Sequence, residues 1–168
     1  MGTEGRLTHR LPSLPDREAP GTACQRARPA EMIGDGQGTS LSVMLIVPDA
    51  RAAIGWYRRA LGATELWNLG SVAGLQVEGA PFFLHESVPG RATERSPTDA
   101  GLTTTRIEVF LDDPSRLIDR AADAGATHIE HLTPHEAPWG IHRQGGFTDP
   151  FGHRWSVGDR TPLQPFSR

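Results

Sequence analysis

The chain says nearly the same thing twice, and that repetition restricts its fold more than any other feature. Residues 41–69 read "LSVMLIVPDARAAIGWYRRALGATELWNL", and residues 103–132 read "TTTRIEVFLDDPSRLIDRAADAGATHIEHL". Each copy opens on an apolar, strand-like run that ends at an aspartate, Asp49 or Asp113. Either carboxylate can cap a helix by accepting from the free amides of its first turn. Pro114 at the first helical position reinforces the second start. Apolar residues then recur at three-and-four spacing, at Ala50, Ala53, Ile54, Tyr57 and Leu61, and at Leu117, Ile118, Ala121 and Ala124. That spacing predicts one buried face per helix. Gly62 and Gly125 supply the residue that ends each helix at positive φ, and both are followed by Ala-Thr and a new strand. Further strand-like runs lie near 64–69, 73–78 and 81–87, then 127–132, 140–148 and 153–158. The predicted order is βαβββ, twice.

The flanks differ in kind. Residues 1–39 mix Pro, Gly, Arg and acidic residues without periodicity, a composition that buries too little apolar surface to offset ordering entropy. They are expected to be a disordered tail, with Met32 an alternative start. Residues 40–160 then form one domain, with modules at 40–90 and 102–160 joined by a loop over 88–102, and 161–168 a loose end. The single Cys24 excludes an internal disulfide framework and Cys-based zinc sites. With a net charge of −3 nothing points to nucleic acid or an anionic membrane. With a single cysteine a reducing cytoplasm is the expected setting, and no apolar run approaches the ~20 residues of a membrane span. "GDGQG" lies outside any strand-to-helix context and is no phosphate loop.

Three stretches resemble the vicinal-oxygen-chelate superfamily of glyoxalases, extradiol dioxygenases and bleomycin-resistance proteins. They are "VPDARAAIGWYRRALGA", "DRAADAGAT" and "DPFGHRWSV". The last is similar to the form in small glyoxalase/bleomycin-resistance-like proteins. The resemblance covers roughly residues 40–160. It implies an α+β fold in which tandem βαβββ modules make a cup-shaped mixed sheet, helices outside and a ligand groove within. It also implies a homodimer. A shared fold does not choose among the chemistries it hosts.

Strand alternation assigns faces. Val43, Leu45, Val47, Ile107, Val109 and Leu111 should pack under the helices. Ser42, Met44, Ile46, Arg106, Glu108 and Phe110 should face the groove. Two charges on an otherwise apolar strand are unusual, because unpaired buried charge is costly. Arg106 and Glu108 therefore either meet a polar ligand or pair with each other at a wet groove mouth. Trp67 and Trp139 are candidate stacking surfaces for a planar ligand, whereas Trp56 and Trp155 are assigned to packing. Residues 133–146 are read as a hairpin connection in preference to a mobile loop.

Metal-dependent members of the superfamily place His or Glu seven residues before each capping aspartate and four residues after a late glycine. Here those positions hold Ser42, Arg106, Phe83 and Ser156, none a usual ligand for a divalent first-row metal. His85, two residues beyond Phe83, is the best placed substitute among His85, Glu86, His128, His131, His135 and His142. A lone histidine is more often structural. Neither a metal nor another cofactor is expected. Two readings follow. The first is a metal-free protein that encloses an amphipathic or aromatic small molecule, antibiotic sequestration included. The groove set is Ser42, Met44, Ile46, Trp67, Phe83, His85, Arg106, Glu108, Phe110, Trp139 and Ser156. The second is a lyase or isomerase in which Glu108 is the base and Arg106 stabilises an oxyanion.

Overall fold

The computed structural model describes residues 40–91 and 93–164, so the expected tail at 1–39 lies outside the described residues. The first module runs β1 (Met44–Val47), α1 (Ala50–Ala60), β2 (Thr64–Asn68), β3 (Val72–Val77) and β4 (Ala80–Glu86). The second runs β5 (Arg106–Phe110), α3 (Pro114–Asp123), β6 (Thr127–Ala137), β7 (Gly140–Thr148) and β8 (Arg154–Gly158). The expected linker loop contains one short helix, α2 (Pro97–Ala100). Thr161–Leu163, expected within the loose end, form a 3₁₀ turn held by hydrogen bonds from Thr161 to Asp159.

Each module folds into a four-stranded sheet with the same strand order, β1-β4-β3-β2 and β5-β8-β7-β6. The opening strand lies parallel to the last, and the remaining pairs are antiparallel. Local chemistry explains both helices. Asp49 accepts from the Ala52 amide at 2.8 Å, and Asp113 from the Arg116 amide at 3.1 Å. Gly62 and Gly125 follow the helices at φ 67° and 92°, a conformation that costs a side-chain-bearing residue strain. Glu78 and Gly79, both at positive φ, make the two-residue turn between β3 and β4, whose twist suits a hairpin. The stretch 133–146 is a hairpin, as preferred from sequence, although β6 runs five residues further than its predicted end at 132.

The helix-facing sides of both sheets share one core. Trp56 and Tyr57 of α1 pack edge-on, and both rings approach Phe151; Tyr57 also meets Phe82 and Trp155. Phe147 and Trp155 stack at 6.2 Å between centroids. Truncating a ring of this size in a close-packed core costs about 3–5 kcal/mol. No helix among the described residues is long and apolar enough to cross a membrane.

Candidate functional site

The "DPFGHRW" turn binds the modules together. Asp149 is buried and its carboxylate accepts four hydrogen bonds. Oδ1 takes the amides of Phe151 and His153, both at 2.9 Å, and Oδ2 takes the Tyr57 hydroxyl at 2.7 Å and Trp155 Nε1 at 2.8 Å. Burial, with the Asp149 charge and hydrogen bond added, pushes the Tyr57 phenol well above its usual range. His153 Nε2 donates to the Ile46 carbonyl of β1 at 3.0 Å. Burial lowers the His153 pKa, against the opposing pull of Asp149 and that carbonyl. Trp56 Nε1 adds a third tie, donating to the Ala124 carbonyl at the end of α3.

Between β5 and the β3–β4 turn, beside residues 41–43 that lead into β1, lies a cleft of about 480 Å³. Buried Phe82 and Trp155 reach it from the core, and Val43, Ile107 and Val109 form its apolar walls. Alternation had placed those three aliphatic residues under the helices with Leu45, Val47 and Leu111. The latter three are buried, but the first three are only partly so. The reason is that among the described residues β1 pairs only with β4 and β5 only with β8, so each keeps an open edge beside which residues of both faces are exposed. At the cleft rim Arg106 Nη2 donates to Glu108 Oε1 at 2.6 Å, with the two side chains 60% and 38% exposed. Arg160 and Glu78 complete the rim, their groups 3.6 Å apart, and Arg160 Nε also donates to Asp112 at 2.8 Å.

Of the groove residues expected from sequence, the structure brings Ser42, Arg106, Glu108 and Phe110 together in this cleft. The others lie elsewhere. Met44 and Ile46 line a neighbouring depression bounded by the 93–105 linker. Trp67 and Phe83 stack at 5.7 Å on the open face of the first sheet, and the register puts His85 on that face too. Trp67 lies flat because Gly74 is beneath it; a Cβ there would come within 2.6 Å of the indole nitrogen. Trp139 sits in the turn between β6 and β7. Ser156 is buried beside Glu108 in the register of the second sheet. Docking of the modules, which strand periodicity does not encode, separates these groups. Arg160 and Glu78 were missed, since neither a residue next to a chain end nor one in a tight turn carries a site signature.

The model of the Glyoxalase/Bleomycin resistance protein/Dioxygenase superfamily matches residues 40–157. The chain belongs to that superfamily. An uncharacterized protein of Mycobacterium tuberculosis is 35% identical over 127 residues, 71% of this chain and 73% of that protein. Among solved structures, TioX from Micromonospora sp. ML1 superposes with a TM-score of 0.56 at 24% identity, over 73% of this chain and 98% of that one. The fosfomycin resistance protein FosX from Mesorhizobium loti does so with a TM-score of 0.51 at 17% identity, over 73% and 92%. At these identities the likeness is one of fold.

The superfamily's metal positions can be tested on this chain's own groups. Ser42 Oγ donates to the Pro81 carbonyl at 2.9 Å, Phe83 presents carbon, Arg106 is cationic, and Ser156 brings a hydroxyl. This donor set does not fit a divalent metal, which needs imidazole, carboxylate or thiolate. Among the described residues no three His, Cys, Asp or Glu side chains lie close enough to hold an ion.

Proposed function

We propose that this superfamily member is a metal-free, cytoplasmic small-molecule-binding protein that takes an amphipathic, aromatic ligand in the cleft between β5 and the β3–β4 turn. Sequestration of an antibiotic is the role this reading favours. The observation that carries it is the cleft, with apolar walls, aromatic rings at its base and the Arg106–Glu108 pair at its mouth. Such a mix buries a planar body while a few polar groups orient its charged end. A guanidinium carries five N–H donors, so one bond to Glu108 leaves Arg106 able to meet a ligand anion. The enzymatic reading asks Glu108 to act as a base, yet its carboxylate sits at the exposed rim, ion-paired to Arg106 at 2.6 Å, where water is not kept from a reacting group. Binding without chemistry is therefore preferred.

The homodimer expected from sequence belongs to the same proposal. Met44 and Trp67, 49% and 39% exposed on the open face of the first sheet, support it. Light scattering coupled to size exclusion checks it; a monomer at tens of micromolar would remove it.

The ligand reading is tested by a thermal-shift screen of planar antibiotics and 2-oxo acids, with naphthalene-2-sulfonate as the reference probe. Binding to the native state alone raises the midpoint in proportion to ln(1 + [L]/Kd). The planar set and the probe are expected to raise it, with the probe's gain lost in Arg106→Ala. No shift from any planar compound, or an undiminished probe shift in Arg106→Ala, would refute the assignment.

A further inference from the structure

Behind the cleft lies a histidine that the groove assignment does not use. His142 of β7 is buried, its side chain 8% exposed. Its Nδ1 is 2.9 Å from Asp159 Oδ1 and 3.1 Å from the Thr161 hydroxyl. Asp159 also accepts from the Thr161 hydroxyl at 2.5 Å and from the amides of Arg143 at 2.8 Å and Thr161 at 3.1 Å. Burial alone would raise this carboxyl, but the hydrogen bonds from Thr161, His142 and Arg143 outweigh it and hold it well below the usual carboxylate range. An ionised Asp159 can only accept, so the proton of a neutral His142 must sit on Nδ1. Nε2 is then a lone-pair acceptor, and among the described residues it is buried without a hydrogen-bond partner.

The ring's position gives that acceptor a direction. A Cβ on Gly158 would come within 2.6 Å of Cε1 and 3.0 Å of Nε2, so the imidazole edge rests where Gly158 leaves room. Gly158 pairs with Phe110, and Ser156 with Glu108, which places His142 on the sheet face that carries Arg106, Glu108 and Phe110. The Phe110 ring lines the cleft and stands 6.1 Å from the imidazole. Arg160, the residue after Asp159, lines it as well.

We propose that His142 Nε2 is the acceptor for a hydrogen-bond donor on the cleft ligand, reached when the Phe110 ring turns aside. The ligand class is thereby narrowed to planar molecules with an O–H or N–H at one end, such as phenols, enols or hydroxylated heteroaromatics. Asp159 and Thr161 act as positioning residues, fixing the tautomer and the ring plane in the way a carboxylate orients a histidine base. Burial makes the arrangement selective, because a ligand that reaches Nε2 without a donor leaves the acceptor unsatisfied.

This inference rests on the cleft being the ligand site, and the test separates the two. 7-Hydroxycoumarin and 7-methoxycoumarin differ by one methyl, which replaces the donor hydrogen. By fluorescence titration the hydroxy compound is expected to bind roughly tenfold more tightly, the worth of one buried hydrogen bond. His142→Phe should bring the ratio to about one, and Asp159→Asn should shrink it. In the wild-type protein the ¹⁵N resonance of His142 Nε2 should move with the hydroxy compound and not with the methoxy one, a readout independent of how the variants fold. Equal affinities, a preference retained in His142→Phe, an unmoved Nε2 resonance, or no binding of either coumarin overturns the proposal. If naphthalene-2-sulfonate still binds in an Arg106-dependent way, only the His142 assignment has failed; if it does not, the cleft reading has failed too.

Discussion

The two modules share an order of elements, a sheet topology, an aspartate cap and a terminating glycine, yet they present opposite surfaces on their open faces. The first carries Met44, Trp67 stacked on Phe83, and His85. The second carries Arg106, Glu108, Arg154 paired with Glu130, and buried Ser156 and His142. Sheet residues alternate between faces, so one set can build the common core while the other diverges without disturbing it. The fold is written in the helix-facing set and in the caps. The other set diverges: the first module carries aromatic rings and a histidine there, the second ion pairs and buried polar groups.

The largest effect is expected where the modules are joined. Asp149→Asn replaces a carboxylate acceptor of four buried donors with an amide that can accept with one atom and must also place two donors. It should destabilise the protein by about 3 kcal/mol or more in urea unfolding. If the modules were held by side-chain packing alone, the loss would stay under about 1 kcal/mol.

A mid-sized effect separates the open faces. Gly74→Ala drives a methyl into the Trp67 ring and should cost about 1–2 kcal/mol, with a change in tryptophan emission as the indole leaves Phe83. Affinity for naphthalene-2-sulfonate should not change, because Trp67 is outside the cleft. Weakened binding would mean that the first sheet contributes to the site.

Acid titration distinguishes the junction from the second module. His153 has a lowered pKa in the folded state, so the unfolded chain takes up its proton first as pH falls. Its contribution is present above the unfolded value of about 6.5 and is lost progressively below it. The Asp159 carboxyl is also lowered, and its contribution is present above the unfolded value of about 3.9 and lost below it. Unfolding free energy against pH should thus decline in two stages. His153→Gln should remove the first stage and Asp159→Asn should soften the second. A single decline beginning below about pH 4 would contradict the role given to His153.

The smallest effect is at the rim. Exposed ion pairs contribute about 0–1 kcal/mol, so Arg106→Ala should leave the unfolding midpoint nearly unchanged while weakening probe binding. A marked loss of stability would make Arg106 a structural residue.

Much of the fold was legible because its signals are local. Asp49, Asp113, Gly62 and Gly125 act within one turn of their helices, and alternation correctly buried Leu45, Val47, Trp155 and Val157 while keeping Ser156 on the other face. The site was legible only in part. Arg106, Glu108, Phe110 and Ser42 share the cleft, but Trp67, Phe83 and His85 were assigned to it on face alone, and module docking puts them elsewhere. The His142–Asp159 contact joins residues seventeen apart through a turn after the last strand, a relation that no periodicity reports.

The most direct test of ligand binding between β5 and the β3–β4 turn is an amide chemical-shift map of the ¹⁵N-labelled protein on addition of naphthalene-2-sulfonate. The account predicts perturbations concentrated at residues 41–43, 77–80, 82 and 105–110 and at Arg160. Perturbations centred on Trp67 and Phe83, with the β5 amides unmoved, would contradict it.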